Sequence, residues 1–323
     1  VQAILLAATA ALAAWALTGL YMRAMVAARR LEPPSERGMH AVPVPTGAGI
    51  AIVAPALVLW PFAQAQAFAG EHTLLIGTCA VLAAMSWVDD RYRLSPALRL
   101  PVHALAVALL LAWLGPEQRI VPGVPLVLER VLLGIGWLWF INLFNFMDGL
   151  DGLAGGEAIA VAVGYLAVAA AAGLAGALGN LALLIAAACA GYLYWNWHPA
   201  RVFMGDSGAI PLGFALGWLM IDLACRGQWA AAAILPAYFA ADATITLARR
   251  LLRGKKPWEA HREHFYQRAV LGGATPRAVV GLVSAANVVL AVLAVVSVRH
   301  PLAALAAATA VVAGLLAALR RRG

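Results

Sequence analysis

A chain of 323 residues that is 63% hydrophobic and only 12% charged lies far from a soluble domain, which averages roughly 45–50% apolar and roughly 25% charged. That composition excludes a soluble globular enzyme and a disordered tail protein. The net charge of +8 forms no basic face separate from apolar helices, so a nucleic-acid partner is excluded too.

A spanning helix needs ~20 apolar residues. In chain order, apolar runs predict spans at 1–22, 48–68, 72–88, 98–114, 127–144 and 153–172. Further runs follow at 177–194, 209–225, 229–248, 278–298 and 302–319. The pattern is that of an all-α polytopic membrane protein with eleven transmembrane helices in a single domain over 1–323. The first run is long for a signal peptide and is followed by Arg23, Arg29 and Arg30, which suits a retained helix. Gly213 and Gly217 have the spacing of close helix packing. Cys79, Cys189 and Cys225 suggest neither a disulfide framework nor a cysteine metal site.

Orientation follows from Lys and Arg. Only Arg119, Arg130, Arg226 and Arg299 fall in one set of loops, and the other nineteen of the 23 basic residues fall in the alternate set. The basic loops and the C-terminus are therefore expected in the cytoplasm, with the N-terminus outside.

The acidic residues are equally one-sided. Active-site loops are expected at about 23–47, 89–97, 145–155, 195–208 and 249–275, all on the basic side. Asp89 and Asp90 are adjacent, and adjacent carboxylates repel unless a cation lies between them. The pair suits a general base, a Mg²⁺ ligand or one of each, and equally a solvated helix end with arginine partners. Asn142, Asn145, Asp148 and Asp151 follow within ten residues, with Gly149 among them and Gly152, Gly155 and Gly156 just after. Glycines allow the backbone to approach a phosphate closely, and a bland Gly-rich turn explains two Asn and two Asp poorly. Asp206 precedes a span, where it caps a helix or holds Mg²⁺ against a diphosphate. His261 and His264 are three residues apart beside Arg262 and Arg268. Without a third ligand they read as phosphate donors rather than a zinc site. Asp242 lies inside the ninth predicted span, where a carboxylate is costly without a partner. His40 and His198 read as structural or rim residues, and Trp195 and Trp197 as part of an aromatic belt.

The ordered set Asp89-Asp90, NxxNxxDGxDGLAGG, FMGDSG and HxxHxYQR resembles the polyprenyl-phosphate N-acetylhexosamine-1-phosphate transferases (glycosyltransferase family 4). The segment Val44-Pro45-Thr46-Gly47-Ala48-Gly49 is similar to that family's Pro-x-Gly-Gly-Gly stretch, with Ala48 replacing the middle glycine. The resemblance implies a Mg²⁺-dependent reaction, with Mn²⁺ as the alternative ion. A polyprenyl phosphate such as undecaprenyl phosphate attacks a UDP-N-acetylhexosamine, and UMP leaves. It further implies that Asp206 binds metal, that Asp89 and Asp90 handle the lipid phosphate and the metal, and that Asp148 and Asp151 belong to the nucleotide pocket. Asn142 and Asn145 would contact the nucleotide sugar. His261, Arg262, His264 and Arg268 would grip the diphosphate or sugar. The setting implied is a bacterial inner membrane, with the active site facing the cytoplasm and a homodimer left open.

The segment HREHFYQR is more similar to the branch that starts O-antigen or other surface polysaccharides. Phe265 and Tyr266 are expected to face the C6 methyl of a 6-deoxy sugar of the FucNAc or QuiNAc type, with UDP-GlcNAc as the alternative donor. A CDP-alcohol phosphotransferase would need two further Asp at four-residue spacing after Asp151, yet the next is Asp206. A transporter would place its polar residues near the bilayer midplane.

Overall fold

The computed structural model describes residues 1–33, 43–63, 70–174, 176–256, 259 and 261–322. Arg37, His40 and the end of the second predicted span lie outside them. Among the described residues the chain is helical apart from loops, a 3₁₀ turn at Pro61–Ala63 and one isolated antiparallel bridge between Glu32 and Val44. The helices in order are α1 (Gln2–Ala27), α2 (Ile50–Leu59), α3 (Gly70–Tyr92), α4 (Pro96–Trp113), α5 (Leu126–Phe146), α6 (Leu153–Ala171) and α7 (Ala177–Asn196). Then come α8 (Asp206–Cys225), α9 (Trp229–Ile234), α10 (Ala237–Leu252), α11 (Phe265–Leu271), α12 (Pro276–Val296) and α13 (Pro301–Arg322). Proline opens α4, α12 and α13, where its missing N–H has no helical partner to lose. Thr275 caps α12 by accepting from the Ala278 N–H at 3.2 Å.

Nine of these helices are long and apolar enough to cross a bilayer, each overlapping one predicted span. The chain is an all-α polytopic membrane protein. The ninth predicted span differs from expectation, and the second is described only as far as residue 63. The described part of the second holds a helix of only 10 residues, α2. The ninth is divided into α9 and α10 at Leu235 and Pro236, because proline cannot supply the N–H that would continue the ladder.

α8 is the axis of the bundle and is buried along nearly its whole length. Gly213 and Gly217 face α5, as their spacing suggested. A Cβ on Gly217 would lie 2.3 Å from Trp137 Cδ1, and one on Gly213 would lie 3.1 Å from the Ile141 Cα. Trp137 stacks on Phe214 and Trp218 at 4.6 and 5.3 Å and donates to the Phe214 carbonyl at 3.0 Å. α1 lies along α7, where Trp195 stacks on Trp15 and donates to its carbonyl at 2.8 Å. Trp195 is thus a packing residue, whereas Trp197 is exposed. Large apolar side chains on α1, α4, α5 and α12 remain exposed, among them Leu12, Leu105, Leu132 and Val292. In water such surface would be a liability; in a bilayer it is the solvent contact.

The up-and-down course separates the polar residues into two ends. At one end, charges are satisfied locally, by Arg119–Glu129 at 2.6 Å and Arg226–Asp222 at 2.8 Å. The other end collects the C-termini of α3, α5 and α7 and the N-termini of α4, α6 and α8. The acidic clusters lie there.

Candidate active site

Two glycine-bearing segments build the floor of this end. Residues 45–49 run beside 203–204: the Phe203 N–H donates to the Pro45 carbonyl at 2.8 Å, and the Gly49 N–H donates to the Met204 carbonyl at 2.8 Å. The starts of α2 and α8 approach so closely that a Cβ on Gly49 would lie 2.1 Å from the Gly208 Cα. Gly205 adopts φ +71°, which favours glycine, and this turn sets Asp206 at the first position of α8.

Asp90, from the end of α3, reaches across to that helix start. Its carboxylate accepts from the Asp206 N–H at 2.8 Å and the Ser207 N–H at 3.1 Å. The first N–H groups of α8 have no helical partner, and the helix dipole favours an anion there. Asp90 therefore caps α8 from another helix. Asp89 takes a different task. It accepts from the Leu94 N–H at 2.5 Å and from Arg99. The same Arg99 Nη1 donates to Asp206 at 2.9 Å, and Asn145 Nδ2 donates to the other Asp206 oxygen at 2.7 Å. Asp206 is the more open of the two carboxylates, with 28% of its side chain exposed against 6% for Asp89.

Asp148 is half-buried at the end of α5, and no hydrogen bond reaches its carboxylate among the described residues. Burial, with the carboxylates of Asp206, Asp90 and Asp151 adding repulsion, pushes its carboxyl well above the usual carboxylate range. Among the described residues, Asp89, Asp90, Asp148, Asp151 and Asp206 thus share one end of the bundle, where the Arg99 guanidinium bridges Asp89 and Asp206.

No three His, Cys, Asp or Glu side chains among the described residues converge as a ready-made metal cage. Mg²⁺ does not require one: it is usually held by one or two carboxylates, with waters and substrate phosphates completing the shell. The donor set is all oxygen, and Asp89 and Asp206 already face one cation in common, the Arg99 guanidinium. The residues fit a hard divalent ion.

Other expected site residues are placed differently. Asp151 accepts from the Ala200 N–H at 2.9 Å and pairs with His198 Nδ1 at 2.7 Å. It holds the loop before α8 to the loop before α6, which makes it a positioning residue. His198 is its partner, and Arg277 closes the arrangement by donating to the His198 carbonyl. Asn142 donates to the Leu138 carbonyl of its own helix at 2.7 Å and has no bond to the carboxylates. His264 is buried and meets Asp242 at 3.1 Å, so it does not present its ring to a diphosphate. Asp242 also accepts from Tyr238, Thr246 and the N–H groups of Phe265 and Tyr266. The costly carboxylate is thereby satisfied and fixes the start of α11. His261 and Arg262 lie half-buried in the lead-in to that helix. Arg268 lines a separate cavity with Arg249, Arg253 and Arg320. Phe265 and Tyr266 are buried and offer no open surface to a sugar methyl, because α11 turns both inward.

Two residues escaped the sequence reading. Arg99 counted there only toward orientation. Its signal was the short link at 93–95, which folds α4 back beside α3 and returns Arg99 to Asp89. Asn196 accepts from the Gly152 N–H and donates to the Val202 carbonyl, both at 2.9 Å. Nothing in its local sequence marks that role.

A family model described as glycosyl transferase family 4 matches residues 72–224, the stretch that contains Asp89, Asp90, Asn145, Asp148 and Asp206. The chain is 31% identical over 294 residues to a putative glycosyltransferase of Streptomyces coelicolor, covering 87% of this chain and 68% of that protein. It is 26% identical over 274 residues to a probable undecaprenyl-phosphate N-acetylglucosaminyl 1-phosphate transferase of Bacillus subtilis, covering 81% and 75%. Against a phospho-N-acetylmuramoyl-pentapeptide-transferase of Thermosynechococcus vestitus it is 33% identical over 215 residues, covering 58% and 51%. The carboxylate-lined end of a spanning-helix bundle is thus that of a membrane-embedded transferase. The chain belongs to glycosyl transferase family 4.

Proposed function

We propose that the chain transfers an N-acetylhexosamine-1-phosphate from a UDP-sugar to undecaprenyl phosphate, releasing UMP, at the cytoplasmic face of a bacterial inner membrane. The observation that carries this reading is the convergence of Asp89, Asp148, Asp206, Asn145 and Arg99 at one end of the bundle. The names of the Bacillus and Thermosynechococcus relatives supply the substrate class. The basic loops at this end support the cytoplasmic orientation.

An oxygen of the lipid phosphate attacks the β-phosphorus of the donor, the bond to the UMP oxygen breaks, and the electron pair leaves with UMP. A phosphate monoester is largely ionised at neutral pH, so the acceptor needs orientation and charge neutralisation more than a base. Asp206 and Asp89 would hold Mg²⁺, which supplies charge neutralisation on the phosphoryl oxygens. Arg99 orients both carboxylates, and Asn145 fixes the Asp206 rotamer. Asp90 holds the α8 start in place, and Asp151 with Asn196 sets the neighbouring loop.

The 6-deoxy donor, of the FucNAc or QuiNAc type, rests on the similarity of HREHFYQR to the surface-polysaccharide branch; Phe265 and Tyr266, being buried, add nothing to it. The test is UMP release from UDP-FucNAc, UDP-QuiNAc and UDP-GlcNAc with undecaprenyl phosphate and Mg²⁺. Wild-type protein should release UMP only when the lipid is present, with the highest kcat/KM for a 6-deoxy donor. Asp206→Asn should lose roughly 10³-fold in rate while still inserting and purifying. Equal or better turnover of UDP-GlcNAc would remove the donor assignment. Absence of lipid-dependent UMP release with every donor would remove the reaction.

A further inference from the structure

A cluster of positive charge lies away from the carboxylates, around a cavity of about 220 Å³ lined by Thr246, Arg249, Arg253, Glu263, Arg268 and Arg320. These residues come from α10, the lead-in to α11, α11 itself and the last turn of α13. On α11, Tyr266 points toward the carboxylate end, with its hydroxyl 3.5 Å from the Phe146 carbonyl. Arg268 stands two residues further on, about 200° round the helix. The cavity is therefore on the far side of α11 from Asp148.

Four arginines share one acid, Glu263, and that acid is already engaged by the buried Arg250 and by Arg253 at 3.4 Å. Arg249 lies over the Phe265 ring with its guanidinium carbon 5.0 Å from the centroid, a contact that uses the face of the group and leaves its N–H edge to an acceptor. Among the described residues, Arg268 and Arg320 have no acidic partner. Favourable helix-dipole contacts explain a basic residue at the end of α10 or α13. They do not explain why guanidiniums from three helices converge on one cavity, where each repels the others.

We propose that this cavity is an anion site for a phosphate group, the headgroup of an anionic phospholipid or free phosphate, distinct from the transferase site. Guanidinium pairs recognise phosphate oxygens bidentately. The cavity is smaller than the roughly 300–1,000 Å³ that drug-sized ligands occupy, which suits a phosphate and not a nucleotide sugar. It opens where α10 and the candidate span α13 end, the level at which lipid headgroups lie. The inference does not depend on the transferase reading.

The test is thermal unfolding of the full chain in phosphatidylcholine nanodiscs, in nanodiscs doped with phosphatidylglycerol, and in phosphatidylcholine nanodiscs with inorganic phosphate at matched ionic strength. Wild-type Tm should rise with phosphatidylglycerol. Arg249→Gln/Arg320→Gln should keep its Tm and UMP release in phosphatidylcholine while needing on the order of 25-fold more phosphatidylglycerol, about fivefold per arginine. Arg320→Gln alone, on an exposed last turn, should show about a fivefold shift and serves if the double variant does not fold. A rise with inorganic phosphate alone, lost in the variants, would assign the site to free phosphate. No response to either ligand, or the same response in wild type and variants, would overturn the proposal. So would a raised donor KM in the variants without any lipid effect.

Discussion

Asp148 carries the clearest electrostatic strain at this end of the bundle. Its carboxyl is raised by burial first and by Asp206, Asp90 and Asp151 next. A group whose folded value lies above its unfolded value stabilises the fold below the unfolded value near 3.8, and that stability is lost as pH rises through the folded value. Metal-free protein should therefore lose stability at Asp148 as pH climbs from about 4 toward neutrality. Asp148→Asn, which cannot ionise, should have a higher Tm than wild type in EDTA at pH 7.5. The difference should vanish near pH 4. A lower Tm for the variant at pH 7.5 would show that the repulsion is already relieved by other means. Asp89, Asp90 and Asp206 have similar chemistry but different tasks: Asp89 is buried on the Leu94 N–H and Arg99, Asp90 caps α8, and Asp206, bonded by Arg99 and Asn145, is more open than Asp89.

Helix starts and ends decide where those carboxylates stand. The contact of Gly49 with Gly208 joins α2 to α8, and backbone faces backbone there, so no side chain can yield. Gly49→Ala should cost about 1–3 kcal/mol as an overpacked contact and should reduce turnover by moving the Asp206 turn. Gly281→Ala, on an open face of α12 with nothing within 4 Å of the new Cβ, is the control and should leave Tm and turnover unchanged. Equal effects at both positions would show that the α2–α8 contact does not set the site. The same reasoning explains α11. Its start is fixed by Asp242, a residue of α10, so the HREHFYQR segment presents Arg268 outward and buries His264, Phe265 and Tyr266.

At the scale of the whole molecule, the locally paired charges gather at one end and the carboxylates and most arginines at the other. With Cys79, Cys189 and Cys225 replaced, Arg253→Cys should react with an impermeant thiol reagent only from the cytoplasmic side. Val121→Cys, in the same loop as Arg119, should react only from outside. Labelling of position 253 from outside would invert the topology and take the cytoplasmic active site with it.

By itself the sequence determined the helical, bilayer-spanning architecture, because runs of ~20 apolar residues admit few other structures in lipid. It also placed Asp89, Asp90, Asn145, Asp148 and Asp206 at span ends of the same parity, which is why the fold gathers them at one end of the bundle. It could not show that the ninth run is divided, because only Pro236 marks the point where the helical ladder breaks. The tertiary structure alone decided which carboxylate caps, which one holds an arginine and which stays unbonded. Those roles depend on contacts between residues far apart in the chain, Asp90 with Ser207 and Arg99 with Asp206. Local pattern records that a residue lies at a helix end; only packing around α8 sets which other helix end faces it.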